Sequence, residues 1–251
     1  MDTVPQGVLF LDEQRHVALA HKKFIIIQGI LGVAGFNTFV YMAIQTTTAI
    51  NAVLVNSCIP VIIALISWGM YNDRLSLRQW LGVCTSLFGV LLIISGGELT
   101  MLLALQFNRG DVLVLIAAAI WALYSSNLRQ YPKRLHPFAY QTAIAIVGLT
   151  VLAPFYLLEI VQGKYMTLSL ASVVTIGYVA LFASVLAFIF WNRAVTMLGA
   201  NIAGPFIHLM PVFSTILAVL FLGETLTANH IRAILLIFGG AFMTTYRPTK
   251  K

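Results

Sequence analysis

The chain has 251 residues, of which 60% are hydrophobic and 9% charged, with a formal net charge of +7. Soluble domains run at about 45–50% apolar and about 25% charged, so an ordinary soluble domain is excluded and a membrane protein is indicated. The two cysteines, Cys58 and Cys84, both fall inside apolar runs, which excludes a disulfide framework or a cysteine-based metal site.

In chain order, Met1–His21 comes first and carries Asp12, Glu13, Arg15 and His16. It has no apolar core followed by a small-residue cleavage site, so it is not a signal peptide and reads as a cytoplasmic loop. Eight runs then approach the ~20 mainly apolar residues that a helix needs to cross ~30 Å of hydrocarbon. They are Phe24–Ala43, Ala49–Gly69, Leu77–Gly96, Asp111–Leu128, Pro137–Leu158, Leu170–Asn192, Asn201–Leu222 and Asn229–Tyr246. The runs lack the alternation of a lipid-facing barrel strand, so the expected fold class is an all-α membrane protein of eight transmembrane helices. Gly29, Gly32 and Gly35 give the first helix a small face, and Gly239 and Gly240 do so in the last. Such faces serve close packing within the molecule, and they leave a homodimer open.

Charge fixes the expected orientation. With both termini in the cytoplasm, Arg15, Lys22, Lys23, Arg74, Arg78, Arg129, Lys133, Arg134, Arg193, Arg247, Lys250 and Lys251 lie inside, and only Arg109, Lys164 and Arg232 lie outside. Twelve against three matches the positive-inside rule for a multi-pass plasma (inner) membrane protein. The loops account for the basic balance, so no nucleic-acid partner is called for; the partners expected are the lipid bilayer and a small-molecule substrate.

Two stretches match without a gap at a separation of 151 residues: Ala43 with Ala194, Ala49 with Ala200, Ala52 with Ala203, Pro60 with Pro211, Val61 with Val212, Asp73 with Glu224, Leu75 with Leu226 and Gly89 with Gly240. The second copy has two further apolar segments upstream, whose counterparts fall almost wholly before Met1. The expectation is the remnant of a ten-helix, five-plus-five fold: residues 1–97 as an incomplete first repeat and residues 110–248 as a complete second one. Each copy having an odd number of helices, the two run through the membrane in opposite senses. Inverted repeats of this kind are common in secondary transporters.

Pro60 and Pro211 sit near the middle of their spans. A proline cannot donate to the carbonyl four residues earlier, here those of Asn56 and Ile207. Ser57 and His208 precede the prolines by three residues in each copy. The two bends read as framing a substrate cavity, or as tolerated packing. His208 is the one histidine well inside a span and suits a structural or substrate hydrogen bond. Asn37 and Tyr41, four apart, form a polar stripe, and Trp121 and Tyr124, three apart, share a face. Each lines a cavity or, for the aromatics, anchors a helix at the interface. The candidate cavity residues are thus Asn37, Tyr41, Asn56, Ser57, Trp121, Tyr124 and His208, with Pro60 and Pro211 as bends. No acid lies at the centre of a span. Neither a metal motif nor a nucleotide loop is present, and the nucleophile-elbow pattern is missing too. No enzyme activity, cofactor or metal is expected.

The stretches "FNTFVYMAIQTTTAINAVLVNSCIPV", "LRQWLGVCTSLFGVLLIISGG", "GDVLVLIAAAIWALYSSNLR" and "GANIAGPFIHLMPVFSTILAVLFLGETL" are similar to the drug/metabolite transporter superfamily, in its EamA branch. The resemblance covers nearly all of residues 22–246. It implies ten helices in two inverted repeats, cytoplasmic termini, and export or exchange of small organic solutes such as amino acids, related metabolites or drug-like compounds by alternating access. The chain departs from that pattern by lacking the first two helices, by Asp73 in place of a glutamate, and by Arg232 where an apolar residue is expected. The alternative to a transporter is a truncated, non-transporting membrane subunit or remnant.

Overall fold

The computed structural model describes residues 6–103, 106, 108–163, 166, 169–223 and 225–246. Lys164, Glu224, Arg247, Lys250 and Lys251, named above for charge or repeat, lie outside the described residues. Among the described residues all regular structure is helical. In order, the α-helices are α1 Gln6–Ala20, α2 Lys22–Gln28, α3 Phe36–Ala43, α4 Ala49–Asn56, α5 Ile59–Tyr71, α6 Leu77–Ser95, α7 Leu99–Leu103, α8 Arg109–Asn127, α9 Pro137–Val161, α10 Leu170–Tyr178, α11 Ala187–Leu198, α12 Ala200–Ala203, α13 Leu209–Leu222 and α14 Ala228–Thr245. A π-helical stretch, Gly29–Gly35, joins α2 to α3, and another, Val179–Leu186, joins α10 to α11.

Among the described residues, seven helical runs are long and apolar enough to cross a membrane: Lys22–Ala43, Ala49–Tyr71, Leu77–Ser95, Arg109–Gln130, Pro137–Val161, Leu170–Leu198 and Ala200–Leu222. The eighth run expected from the sequence forms a helix, α14, but it is not one of these seven. Asn229, His230 and Arg232 crowd its first turn and a half and dilute its apolar character. The N-terminal segment also differs from the expected loop, because Gln6–Ala20 is helical. Its polar residues lack the apolar run that marks a spanning helix, and tertiary contact supplies what periodicity does not. Gln14 is buried, its Nε2 donates to Arg134 O at 3.3 Å and its Oε1 accepts from His136 N at 2.6 Å.

The 151-residue match extends to helix ends. Ser76 and Thr227 both cap helices through capping boxes, with Gln79 and His230 as reciprocal partners. Asn72 and Gly223 both end the preceding helix in the left-handed region, at φ 53° and 71°. Each box satisfies two of the orphan N–H groups at a helix start.

The chain forms two compact units, Met1–Asn37 with Asn127–Met197, and Thr38–Ser126 with Leu198–Lys251. In the first, the π stretch Gly29–Gly35 lies on α9. A Cβ at Gly29 would come within 2.6 Å of Val147 Cβ and 2.8 Å of Ile144 O, so this small face serves intramolecular packing. A π turn loosens the regular carbonyl pairing, and Asn37 Nδ2 donates back to Val33 O at 2.9 Å and Gly32 O at 3.3 Å. A buried polar chain completes this core: Gln130 donates to Asn127 at 3.0 Å, Asn127 to Gln28 at 3.2 Å, and Gln28 to the Tyr140 hydroxyl at 3.3 Å.

In the second unit, α6 and α14 pack through glycines. A Cβ at Gly82 would meet Gly240 O at 2.6 Å, and one at Gly89 would meet Ala233 O at 2.8 Å. Gly82 corresponds to Ala233 and Gly89 to Gly240, so each helix presents the same positions to the other. The contact order also runs in opposite directions along the two helices. This is the self-complementary pattern of a two-fold contact, with the two matched helices antiparallel. At the start of α8, Asp111 is buried and ties three segments together, accepting from the Thr47 hydroxyl, from Asn51 Nδ2 at 2.9 Å and from Asn108 N at 2.7 Å.

Candidate functional site

Both copies break their central span at matched positions. In the first, α4 stops at Asn56, and Ser57 and Cys58 form a turn whose N–H groups reach back to Val53 and Val55 at 3.0 Å. The helix restarts as α5 with Pro60 in second position, where a missing N–H costs little. In the second copy, the short α12 gives way to a 3-10 stretch, Gly204–His208, before α13 begins at Leu209. Pro205 lies within that stretch and Pro211 follows it by three residues. Each proline denies a hydrogen bond to the preceding turn, so the chain tightens there instead of continuing as regular α-helix.

The breaks meet. His208 Nε2 lies 2.9 Å from Ser57 O, its own counterpart 151 residues earlier. A carbonyl only accepts, so Nε2 carries the proton, and in the neutral ring Nδ1 is an acceptor 2.7 Å from the Ser86 hydroxyl, whose proton is shared with Val83 O at 3.0 Å. His208 is 1% exposed, and both of its nitrogens are engaged within the fold. Ser86 corresponds to Ile237, so this second bond has no mirror partner.

Beside the meeting point lies a cavity of about 390 Å3. Its walls come from α4 (Ala49, Ile50, Val53, Asn56), the end of α6 (Ile93, Ile94), α13 (Met210, Pro211, Ser214, Thr215, Ala218), together with Ser57, Ile207 and His230. Among the described residues, no acid, lysine or arginine lines it. Its polar groups are both donors and acceptors. The Ser57 hydroxyl donates to Val53 O at 2.7 Å and the Thr215 hydroxyl to Pro211 O at 2.9 Å, so each turns only lone pairs elsewhere. Asn56 Oδ1 is buried and receives no hydrogen bond. His230 Nδ1 accepts from Thr227 N at 3.2 Å in the capping box, which leaves Nε2–H as the donor of the neutral ring.

The positions related to this cavity by the repeat are packed shut. Met210 on the wall is 62% exposed, whereas its counterpart Ile59 is 4% exposed. Ser214 is exposed and its counterpart Ile63 fully buried; Ile50 is exposed and its counterpart Asn201 buried. Here α12 and its 3-10 extension lie against α5: a Cβ at Gly204 would sit 3.3 Å from Ile63 Cδ1 and 3.5 Å from Pro60 Cα. Asn201 Nδ2 fastens the end of this contact by donating to Asp73 O at 3.1 Å.

Of the residues expected at a cavity, Asn56, Ser57 and Pro211 line it, and His208 stands one hydrogen bond behind Ser57. Pro60 lies on the packed counterpart. Tyr41 is 56% exposed and is not on the wall. Trp121 and Tyr124 stack on one another at 5.3 Å, Tyr124 fully buried, away from the cavity lining. Asn37 serves its own helix, as described. Ile93, Ile94, Met210, Ser214, Thr215 and His230 escape sequence reasoning. The apolar ones look like lipid-facing residues, and only the repeat, which pairs His230 with Gln79 and Ser214 with Ile63, offered any handle on the rest.

A second, smaller cavity of about 130 Å3 in the other unit is lined by Tyr131, Tyr140, Asn192, Arg193 and Thr196, among others. Tyr131 donates to Leu135 O at 2.9 Å, and burial pushes its phenol up to about 12.

The sequence model of the EamA-like transporter family matches residues 6–95 and 108–246. The uncharacterized transporter YyaM of Bacillus subtilis is 26% identical over 85% of this chain and 70% of its own length. The uncharacterized transporter YetK of the same organism is 25% identical over 96% and 73%. A probable amino-acid metabolite efflux pump of Salmonella typhimurium is 24% identical over 70% of this chain and 60% of the pump. One crystal structure superposes with a TM-score of 0.70 at 21% identity, covering 88% of this chain and 74% of that one, a likeness of fold. The chain belongs to the EamA-like transporter family.

Proposed function

Starting from that membership, we propose that the chain is a secondary transporter that exports small organic metabolites, amino acids and related or drug-like solutes among them, across the plasma membrane by alternating access. The observation that carries this reading is the cavity between two matched helix breaks, open on one side of the repeat while its counterpart is packed shut. Two copies of one sequence pattern that adopt different conformations can exchange them, and rocking of one repeat against the other around a fixed site is the usual course in such folds. The antiparallel, self-complementary crossing of α6 and α14 supports an inverted repeat. It also supports α14 as an eighth spanning helix, since its partner α6 is one of the seven. The charge asymmetry of the loops supports cytoplasmic termini, which puts the cavity mouth on the outer side. The relative named a probable amino-acid metabolite efflux pump supports the substrate class and the direction.

The test begins from a background in which Cys58 and Cys84 are alanine. With the protein solubilised in detergent, so that both faces meet the reagent, Ser214→Cys should react with a hydrophilic thiol reagent and Ile63→Cys should not. A transported solute should lower the first reactivity and raise the second. Untargeted metabolite profiling of medium from cells with and without the gene identifies candidates, and uptake by proteoliposomes confirms them. Invariant labelling of both cysteines together with no flux of any candidate would favour a non-transporting membrane subunit.

A further inference from the structure

The two capping boxes use different side chains, and the difference falls on the cavity wall. In the first copy the reciprocal partner is Gln79. Its Oε1 accepts from Ser76 N at 2.9 Å, and its Nε2 donates to Thr244 O at 3.4 Å. His230 holds the matched place in the second copy, and it lines the cavity. Its Nδ1 does what the Gln79 oxygen does, 3.2 Å from Thr227 N. A backbone N–H only donates, so Nδ1 is bare and the neutral ring carries its proton on Nε2. The residue matched to Thr244 is Ile93, on the same wall, and no described residue accepts from His230 Nε2. The donor that its counterpart spends on the fold is unspent here.

The wall also offers the Ser214 hydroxyl and the Asn56 amide as donors, and the lone pairs of Ser57 and Thr215 as acceptors. A hydroxyl rotates to give either a proton or a lone pair, whereas the capping box fixes His230 as an N–H donor. That donor stands at the start of α14, the positive end of the helix. An ionised carboxylate makes the strongest bond with such a group. Met210 and Ser214 leave the wall open, so a carboxylate there keeps part of its water. The charged residues around this end of the unit, Arg232, Glu98 and Asp111, do not line it. We propose that His230 recognises the carboxylate of a solute with an apolar body, Nε2–H donating to the carboxylate while Nδ1 keeps the α14 cap. The proposal rests on reading the cavity as the substrate site.

The test uses the full chain purified in detergent. The probes are isovalerate and the neutral nitro compound of the same shape, in which NO2 replaces the carboxylate. Calorimetric titration of the wild type should show isovalerate binding roughly tenfold more tightly, the gap between a charge-assisted and a neutral hydrogen bond. His230→Gln installs the residue of the first copy, with an oxygen for the cap and an Nε2–H for the ligand, and should keep the preference. His230→Glu also keeps the cap, and a carboxylate suits a helix start. It replaces the donor with an acceptor of like charge, so it should lose isovalerate and hold the nitro compound. A histidine that only capped the helix would let both variants bind alike. Equal binding of the two probes by the wild type, binding of neither, a preference that survives His230→Glu, or one lost in His230→Gln would overturn the proposal. Should His230→Glu not fold, the wild-type comparison and His230→Ala decide, alanine abolishing the preference without adding charge. Flux of the solutes found by metabolite profiling is measured separately. Binding that depends on His230 without any flux would leave this proposal standing and remove the transport reading. Flux without such binding would do the reverse.

Discussion

Gly239 and Gly240 are neighbours on α14 with opposite surroundings, and they give a sharp test of how α6 and α14 are held. A Cβ added at Gly239 meets nothing within 4 Å. One added at Gly240 would lie 2.6 Å from Ser86 N and 2.8 Å from Ser86 Cβ, with the Gly82 carbonyl oxygen also in contact. Two of these three atoms are α6 backbone, which no rotamer change can move aside. Bringing 2.6 Å out to ordinary contact at 3.4 Å requires the helices to part by about 0.8 Å. Over-packing of this kind costs about 1–3 kcal/mol, while Gly→Ala inside a helix by itself gains about 0.5–1 kcal/mol. Gly239→Ala should therefore be neutral or stabilising and Gly240→Ala destabilising, the two differing by roughly 1–3 kcal/mol. At about 2–4 °C per kcal/mol for a chain of this size, the variants should melt apart by on the order of 2–12 °C. The assay is thermal unfolding in one detergent, followed by circular dichroism. Gly82→Ala, whose Cβ would meet Gly240 O at 2.6 Å, should behave like Gly240→Ala. Coincident melting of Gly239→Ala and Gly240→Ala would refute the close crossing, and with it the self-complementary contact.

Replacing His208 by alanine strands the Ser57 carbonyl, so it should lower stability by roughly 1–3 kcal/mol; an unchanged melting temperature would refute the bridging role. Pro60→Ala and Pro211→Ala each permit a continuous helix through the breaks, so initial transport rate per unit of surface protein should fall more than membrane insertion does, and wild-type rates in both would reject the role of the breaks. For Tyr131, the folded value of about 12 lies above the usual 10, so its contribution to stability is complete below pH 10 and is lost as pH rises toward 12; Tyr131→Phe should flatten the melting temperature across that window, and identical alkaline profiles would refute the burial argument. Reporter fusions after Asn108 and Gly163 should map outside and those after Ser76 and Pro132 inside, and an outward Pro132 would overturn the proposed orientation.

The spanning helices were legible because lipid contact demands long apolar runs, whatever the interior does. Leu77–Gly96 and Pro137–Leu158, read from the sequence, differ from α6 and α9 only at their C-terminal ends. The helix α1 was not legible, since its apolar residues are interrupted by Asp12, Glu13, Arg15 and His16 and its burial comes through contacts such as that of Gln14 with His136. The π stretches left no trace beyond the glycine spacing at Gly29–Gly35, because the sequence at Val179–Leu186 has no glycine at all. At the site, the repeat singled out Asn56, Ser57 and Pro211. Ile93, Ile94 and Met210 stayed hidden, because an apolar wall and a lipid-facing surface draw on the same residue types in a membrane.

One property of the site has no sequence signature of any kind. A match such as Pro60 with Pro211 is symmetric, and it predicts the same environment for both partners. The structure gives them different environments, Pro211 on an open wall and Pro60 beneath Gly204. Symmetric sequence with asymmetric packing implies that the asymmetry is conformational, and a conformational asymmetry between two like halves can be inverted. The departures from sequence symmetry then set which arrangement is preferred. Ser86 bonds His208, where the mirror pair, Ile237 and Ser57, offers no such bond. Asn201 bonds Asp73, where the mirror position of Asn201 is Ile50, a residue without a donor. Both of these bonds lie on the closed side or on the axis itself, so both favour the open cavity seen here. Removing either one should shift the population toward the inverted arrangement, as long as the fold survives the change. For Asn201→Ile, which installs the residue of the other copy, the reactivity of Ile63→Cys should rise and that of Ser214→Cys should fall. Unchanged reactivity at both positions would mean that the two bonds do not set the balance.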